Sequence, residues 1–180
     1  MVHIPAENYS PKILDDTRTP IPYVGEERDL LVAFLDFQRH TFELKCRGLE
    51  QAQMSLRAVP PSGLSLHGLL RHLAGAEQWW FDTQFSGSAE PLINYSDDDP
   101  DQDFERLDGD VALAWEEWRR RTARSREIVA GASLDDTGVV QRTNEPVSLR
   151  RIMLHMIAEY ARHNGHADLL RERIDGATGL

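Results

Sequence analysis

The sequence predicts an all-α fold, a four-helix bundle with an extended N-terminal arm and a long loop between the second and third helices. Three observations carry this expectation. Four segments repeat apolar residues at three- and four-residue spacing, breakers separate them, and 180 residues suit one core better than two. At 41% hydrophobic and 28% charged, the chain has the apolar material for that core.

Residues 1–25 carry Pro5, Pro11, Pro20 and Pro22, each of which removes a donor and disfavours helix before it, so they are read as the arm, with 26–180 as the bundle domain. Helix one runs from Glu26 to about Gly48 on Leu30, Leu31, Phe34, Leu35, Phe37, Thr41 and Phe42. After Pro60-Pro61-Ser62-Gly63, Ser65 can cap helix two, which reaches about Gln84 with Leu66, Leu69, Leu70, Leu73, Trp80 and Phe81 on its apolar positions. Residues 86–107 hold the acidic cluster Asp97, Asp98, Asp99, Asp101, Asp103 and Glu105 and read as an exposed loop without chemistry, because the ligand ladder and turn glycine of an EF-hand are missing. Helix three spans about Asp108 to Ala130, with Val111, Trp115, Trp118, Thr122, Ser125 and Val129 on one face. Room for a strand exists only around Val139–Thr143. Ser148 can cap helix four, which stops at Gly176.

A net charge of −10 argues against a phosphate-neutralising surface, so nucleic acid is not an expected partner. Cys46 is the single cysteine and cannot form an internal disulfide, which makes a reducing cytoplasm the default. Met1-Val2-His3-Ile4-Pro5 has neither basic nor apolar character, and no 18 apolar residues follow one another; neither secretion nor a membrane span is expected.

Five of the seven histidines, His67, His72, His155, His163 and His166, fall on helices two and four. On helix four, His155, Glu159, His163 and His166 follow at steps of four, four and three, which aligns them along one face. With about 100° per residue, the stripe Leu149, Ile152, Met156, Ala167, Leu170, Ile174 is centred near His163, with Glu159 roughly 40–60° away. An inward carboxylate and imidazole need a partner, and a divalent cation is one solution; an ordinary ion pair or a hydrogen-bonded core histidine is another. His72 lies roughly 120° from the leucine stripe of its helix, on the side of Leu69, Ala76 and Trp79, so periodicity does not select it. Glu77 falls inside that stripe and must snorkel, pair with a cation or make inward hydrogen bonds.

Helix two's His72-Leu-Ala…Glu77…Trp80 and the run Glu159-Tyr-Ala-Arg-His163-Asn-Gly-His166-Ala-Asp-Leu-Leu-Arg-Glu resemble the DinB/YfiT-like superfamily of metal-binding four-helix bundles. The resemblance covers about Glu26 to Gly179 and is nearest to an actinobacterial branch related to mycothiol-dependent maleylpyruvate isomerases and thiol S-transferases. It implies a DinB-like bundle holding a divalent metal through His72, Glu159 and His163, with zinc the first choice and nickel, iron or manganese as alternatives. Many relatives have His where Glu159 stands; the maleylpyruvate isomerase branch has a carboxylate. The resemblance further implies a mycothiol-like cosubstrate, a small electrophile as its partner, and S-transfer or thiol-assisted isomerisation. A homodimer is left open.

Two other readings stand beside it: a metal-dependent hydrolase with Glu77 or a spare histidine as base, and a metal-binding protein without catalysis. His155 and His166 are candidates for hydrogen bonding to the ligands. Lys45 could anchor a substrate carboxylate, Cys46 reads as a small buried hydrophobe, and Trp79, Trp115 and Trp118 read as core and pocket wall.

Overall fold

Caps and stops set the helix ends. The computed structural model describes residues 16–178; the arm expected over residues 1–15 lies outside the described residues, and 16–26 contains no helix or strand. Helix α1 spans Glu27–Cys46 and a short α2 spans Gln51–Met54. Ser65 Oγ accepts the Gly68 N–H at 3.0 Å and opens α3, Leu66–Glu77, whose ladder then widens into a π-helical continuation, Gln78–Phe85. Helix two of the sequence reading is thus one rod with a change of pitch. A short α4, Gln102–Glu105, interrupts the acidic loop. Asp110 Oδ1 takes the Ala112 N–H at 2.7 Å and starts α5, Val111–Gly131, three residues after the expected point.

Strands β1, Thr137–Val140, and β2, Glu145–Ser148, form an antiparallel hairpin that pairs Thr137 with Ser148 and Val140 with Glu145. Helix α6, Leu149–Asp175, begins at Ser148 and ends at Gly176, as expected. Ser148 Oγ accepts the Arg151 N–H at 3.2 Å, and Gly176 takes a φ of 79° that favours glycine.

The four long helices bury most of the stripe positions that periodicity picked out, although Phe34 of α1 is exposed. Leu35 and Phe42 of α1, Leu66, Leu69, Leu70 and Leu73 of α3, Trp118 of α5, and Leu149, Ile152, Met156, Ala167 and Leu170 of α6 form one core. The fold is therefore an all-α bundle with a small hairpin added, α1 packing on α6 and α3 on α5. Glu77 is a charged residue buried among them. Its carboxylate receives Arg39 Nε at 2.8 Å and Arg39 NH2 at 2.7 Å, together with the Tyr160 hydroxyl at 2.8 Å. Tyr160 in turn accepts Trp118 Nε1–H at 2.9 Å, so one buried network joins all four helices.

The hairpin docks on the π-helical turn through Gly138. A Cβ there would sit 2.2 Å from the Gln84 carbonyl oxygen and 2.4 Å from Phe85 Cα, and both are backbone atoms that cannot swing away. Gln84 Oε1 also accepts the Gln141 N–H at 2.7 Å. Gly138→Ala is therefore expected to lower stability by about 3 kcal/mol, near the top of the overpacking range. An unchanged urea midpoint would show that the hairpin does not need this close approach.

Candidate metal centre

Residues from three elements meet where α3 and α6 face each other. Glu159 and His163 lie one turn apart on α6, so their side chains project together. His72 reaches them from the flank of α3, off the leucine stripe, because it faces a half-open crevice rather than the core. One donor atom from each of His72, Glu159 and His163 lies within 4.8 Å of the other two. Glu159 Oε1 is 3.1 Å from His72 Nε2 and 3.3 Å from His163 Nε2. With ligand bonds of about 2.0–2.1 Å, the edge of a coordination tetrahedron is about 3.3 Å, so each imidazole nitrogen stands at coordination spacing from the carboxylate oxygen. The three residues inferred from the motif are thus brought together.

The other ring nitrogens are also occupied. His72 Nδ1 lies 2.8 Å from Asp103 Oδ2; a carboxylate only accepts, so Nδ1 donates to Asp103, while Nε2 faces the Glu159 carboxylate in the same way. Asp103 comes from α4, in the acidic loop to which the sequence reading gave no chemistry, and it is buried rather than exposed. Phe104 beside it stacks on the His72 ring with centroids 5.1 Å apart. His163 Nδ1 meets His166 Nδ1 at 3.2 Å, so His166 touches an inward residue as the spacing suggested.

Charge is concentrated at this point. Glu159 is held well below the usual carboxylate range by its hydrogen bonds to His163 and then His72, against the opposing effect of burial. Burial works against a charge on His72, yet the hydrogen bonds to Asp103 and Glu159 prevail and lift it to about 9. An imidazole between two carboxylates therefore favours a positive charge, whether proton or metal ion. Burial, with His163 and Arg162 nearby, lowers His166, which favours its neutral ring.

His72 and Glu159 line one wall of a cavity of about 320 Å³. Trp79 and Trp80 from the π-helical turn, Ile93 and Tyr95 from the following loop, and Arg142 from the hairpin turn supply other walls. Trp79 is a pocket wall as expected; Trp115 is not, since it packs edge-on against Trp118 at 5.4 Å and on Phe42 at 6.2 Å. His155 turns away from the triad and meets the Trp80 ring at 4.5 Å. His67 is buried beside Ser55 Oγ at 3.0 Å.

Three further candidates lie elsewhere. Lys45 is buried and pairs with Asp168, which removes it as a substrate anchor. Cys46 is buried, and burial pushes its thiol far up, so it is no nucleophile. Glu77 is fully engaged by Arg39 and Tyr160 and lies in the core; it is no base for hydrolysis. Sequence reasoning missed Asp103 and the pocket residues Tyr95 and Arg142.

A family model described as mycothiol-S-transferase matches residues 30–176. No curated protein and no solved structure matches the chain. Among the described residues no helix is long and apolar enough to cross a membrane.

Proposed function

The chain belongs to the mycothiol-S-transferase family, and on that premise we propose that it is a divalent-metal-dependent enzyme joining a low-molecular-weight thiol to a small electrophile. The observation that carries this reading is the spacing of His72 Nε2, Glu159 Oε1 and His163 Nε2, three donors beside a cavity rather than four closed around a point. Two neutral imidazoles and a carboxylate suit zinc, and nickel, iron(II) and manganese also accept such donors. A divalent cation held by His72, Glu159 and His163 would supply Lewis acidity, which lowers the pKa of a thiol toward neutral.

The chain's residues provide the rest. Asp103 and His166 orient the two imidazoles, Phe104 restricts the tilt of His72, and Trp79 and Trp80 exclude water from the adjoining wall. In transfer, the thiol proton goes to solvent and the sulfur pair forms a C–S bond. The leaving group departs with the electrons of its bond to the same carbon. In isomerisation, addition to a double bond is followed by rotation and expulsion of the thiolate. Mycothiol is the thiol that family membership suggests, and a reducing cytoplasm is where a free thiol and an unpaired Cys46 are both maintained.

A panel of electrophiles assayed with and without mycothiol tests the reading. Turnover should require the thiol, survive Cys46→Ala and disappear in His163→Ala. Thiol-independent hydrolysis, or loss of activity through Cys46→Ala alone, overturns it.

Asp103→Ala should leave the three donors in place but free the His72 ring. Outer partners of ligating histidines are worth about 10- to 100-fold in metal affinity. Chelator competition should show a loss of that size with helical circular dichroism unchanged; an unaltered affinity would make the Asp103 contact incidental.

A further inference from the structure

The cavity beside the triad has a cationic group that the triad does not use. Arg142 sits in the hairpin turn, its guanidinium 5.5 Å from the Trp79 ring centroid and 6.0 Å from that of Tyr95. It donates one hydrogen bond, from NH2 to the Tyr95 hydroxyl at 3.1 Å. No carboxylate among the described residues lies within 4.0 Å of it, although the chain carries 30 acidic residues. Two aromatic faces and one phenol therefore hold a planar donor fork in place while most of its N–H groups stay free.

The two carboxylates beside the triad are committed. Asp103 receives His72 Nδ1 and the Phe104 N–H, Glu159 faces both imidazoles and Arg162, and Asp101 is exposed on the rim. Arg71 also lines the cavity, but its Nε is taken by Asn94 Oδ1 at 3.3 Å, and Asn94 returns a bond to the Arg71 carbonyl at 3.1 Å. Arg71 thus clasps its loop through Nε, with its terminal N–H groups unengaged among the described residues, and Arg142 is the cavity cation that the aromatic walls themselves hold in place.

We propose that this cavity binds an anionic aromatic molecule, its flat apolar body against Trp79, Trp80 and Ile93 and its carboxylate on the Arg142 guanidinium. The proposal rests on the functional reading above in taking this molecule to be the electrophilic substrate; the binding itself does not need the metal or the thiol. A planar ring matches the aromatic walls, and a carboxylate matches the guanidinium fork by two parallel N–H···O bonds. A cavity of about 320 Å³ accommodates a bicyclic ligand and leaves the triad side accessible.

The test is calorimetric titration with 2-naphthoate and its uncharged twin 2-naphthamide, on metal-loaded protein and again after chelation, with helicity checked. The carboxylate should bind about tenfold or more tightly than the amide in both states, the advantage of a charge-assisted hydrogen bond. Arg142→Gln should remove that advantage and leave amide binding unchanged. Equal affinities for the two probes, or a preference that survives Arg142→Gln, overturn the proposal. So does a preference that vanishes on chelation, since the carboxylate would then have been binding the metal. Absence of thiol-dependent turnover would sink the enzymatic reading and leave this binding result standing.

Discussion

Replacing His163 by alanine should weaken binding of a divalent cation by roughly 10²- to 10³-fold. Complete four-donor zinc sites release about 10–16 kcal/mol, so one donor carries about 2.5–4 kcal/mol, and about 1.4 kcal/mol is tenfold. His72→Ala and Glu159→Ala should show losses of the same order, because each removes one of the three donors that lie within 4.8 Å of one another among the described residues. His155→Ala is the matched control: it sits one turn before Glu159 on the same helix, yet its ring lies on Trp80 at 4.5 Å. That variant should retain wild-type affinity. Chelator competition with elemental analysis reads all four. Full occupancy in every ligand variant under mild chelation would refute the site, and loss through His155→Ala instead would move it along α6.

The same binding should raise the melting temperature without being needed for folding. A cation at about 100 times its dissociation constant adds about 2.7 kcal/mol. The core formed by Leu66, Leu69, Leu70, Leu73, Ile152 and Met156 does not include the triad. Chelation should therefore lower the melting temperature and keep the helical signal.

How far the sequence reached depends on what each feature rests upon. Helices α5 and α6 were legible because burial on one face forces a 3.6-residue period, and the ends of α6 because Ser148 and Gly176 do local work that needs no tertiary contact. His163 was legible from the wheel, sitting at the centre of a stripe that the structure buries. His72 was not: it faces the crevice with its side chain 26% exposed, and only the motif singled it out. The widening of α3 into a π-helical turn escaped because one extra residue in a turn barely alters an apolar pattern.

Asp103 was the deepest miss. Its neighbours Asp97, Asp98, Asp99 and Asp101 make the segment read as a solvated charge run, and composition cannot tell which member of such a run turns inward. What selects Asp103 is the one-turn helix α4, which sets it against His72 across 31 residues of sequence. Arg142 escaped for the same reason, its aromatic partners lying 63 and 47 residues upstream at Trp79 and Tyr95. Local physics finds elements; pairings between loops and helices arise only from the assembled bundle.

Glu77→Met should cost about 3–5 kcal/mol of stability, and the argument turns on what it leaves behind. The sequence left Glu77 to snorkel, pair with a cation or make inward hydrogen bonds; the structure supplies Arg39, buried at 2% exposure, with two hydrogen bonds of 2.8 and 2.7 Å. Removing one partner of a buried pair strands the other charge in a poorly polarisable interior, which is the source of that cost. Asp36 also touches Arg39, at 2.9 Å, but it lies toward the surface, is shared with Arg126, and cannot reproduce the two-pronged contact inside the core. Arg39→Met should be similarly costly, because Glu77 would keep only the Tyr160 hydroxyl. The double variant Arg39→Met/Glu77→Met buries no stranded charge and should be more stable than either single one. Its residual deficit should be about 1–3 kcal/mol, set mainly by the Tyr160 hydroxyl that has lost its acceptor. For a chain of this length, each kcal/mol moves the melting temperature by about 2–4 °C, so the single variants should melt roughly 6–20 °C lower. Thermal and urea unfolding of the four proteins complete a double-mutant cycle. Additive losses, with the double variant the least stable of all, would show that Arg39 and Glu77 stabilise the bundle independently.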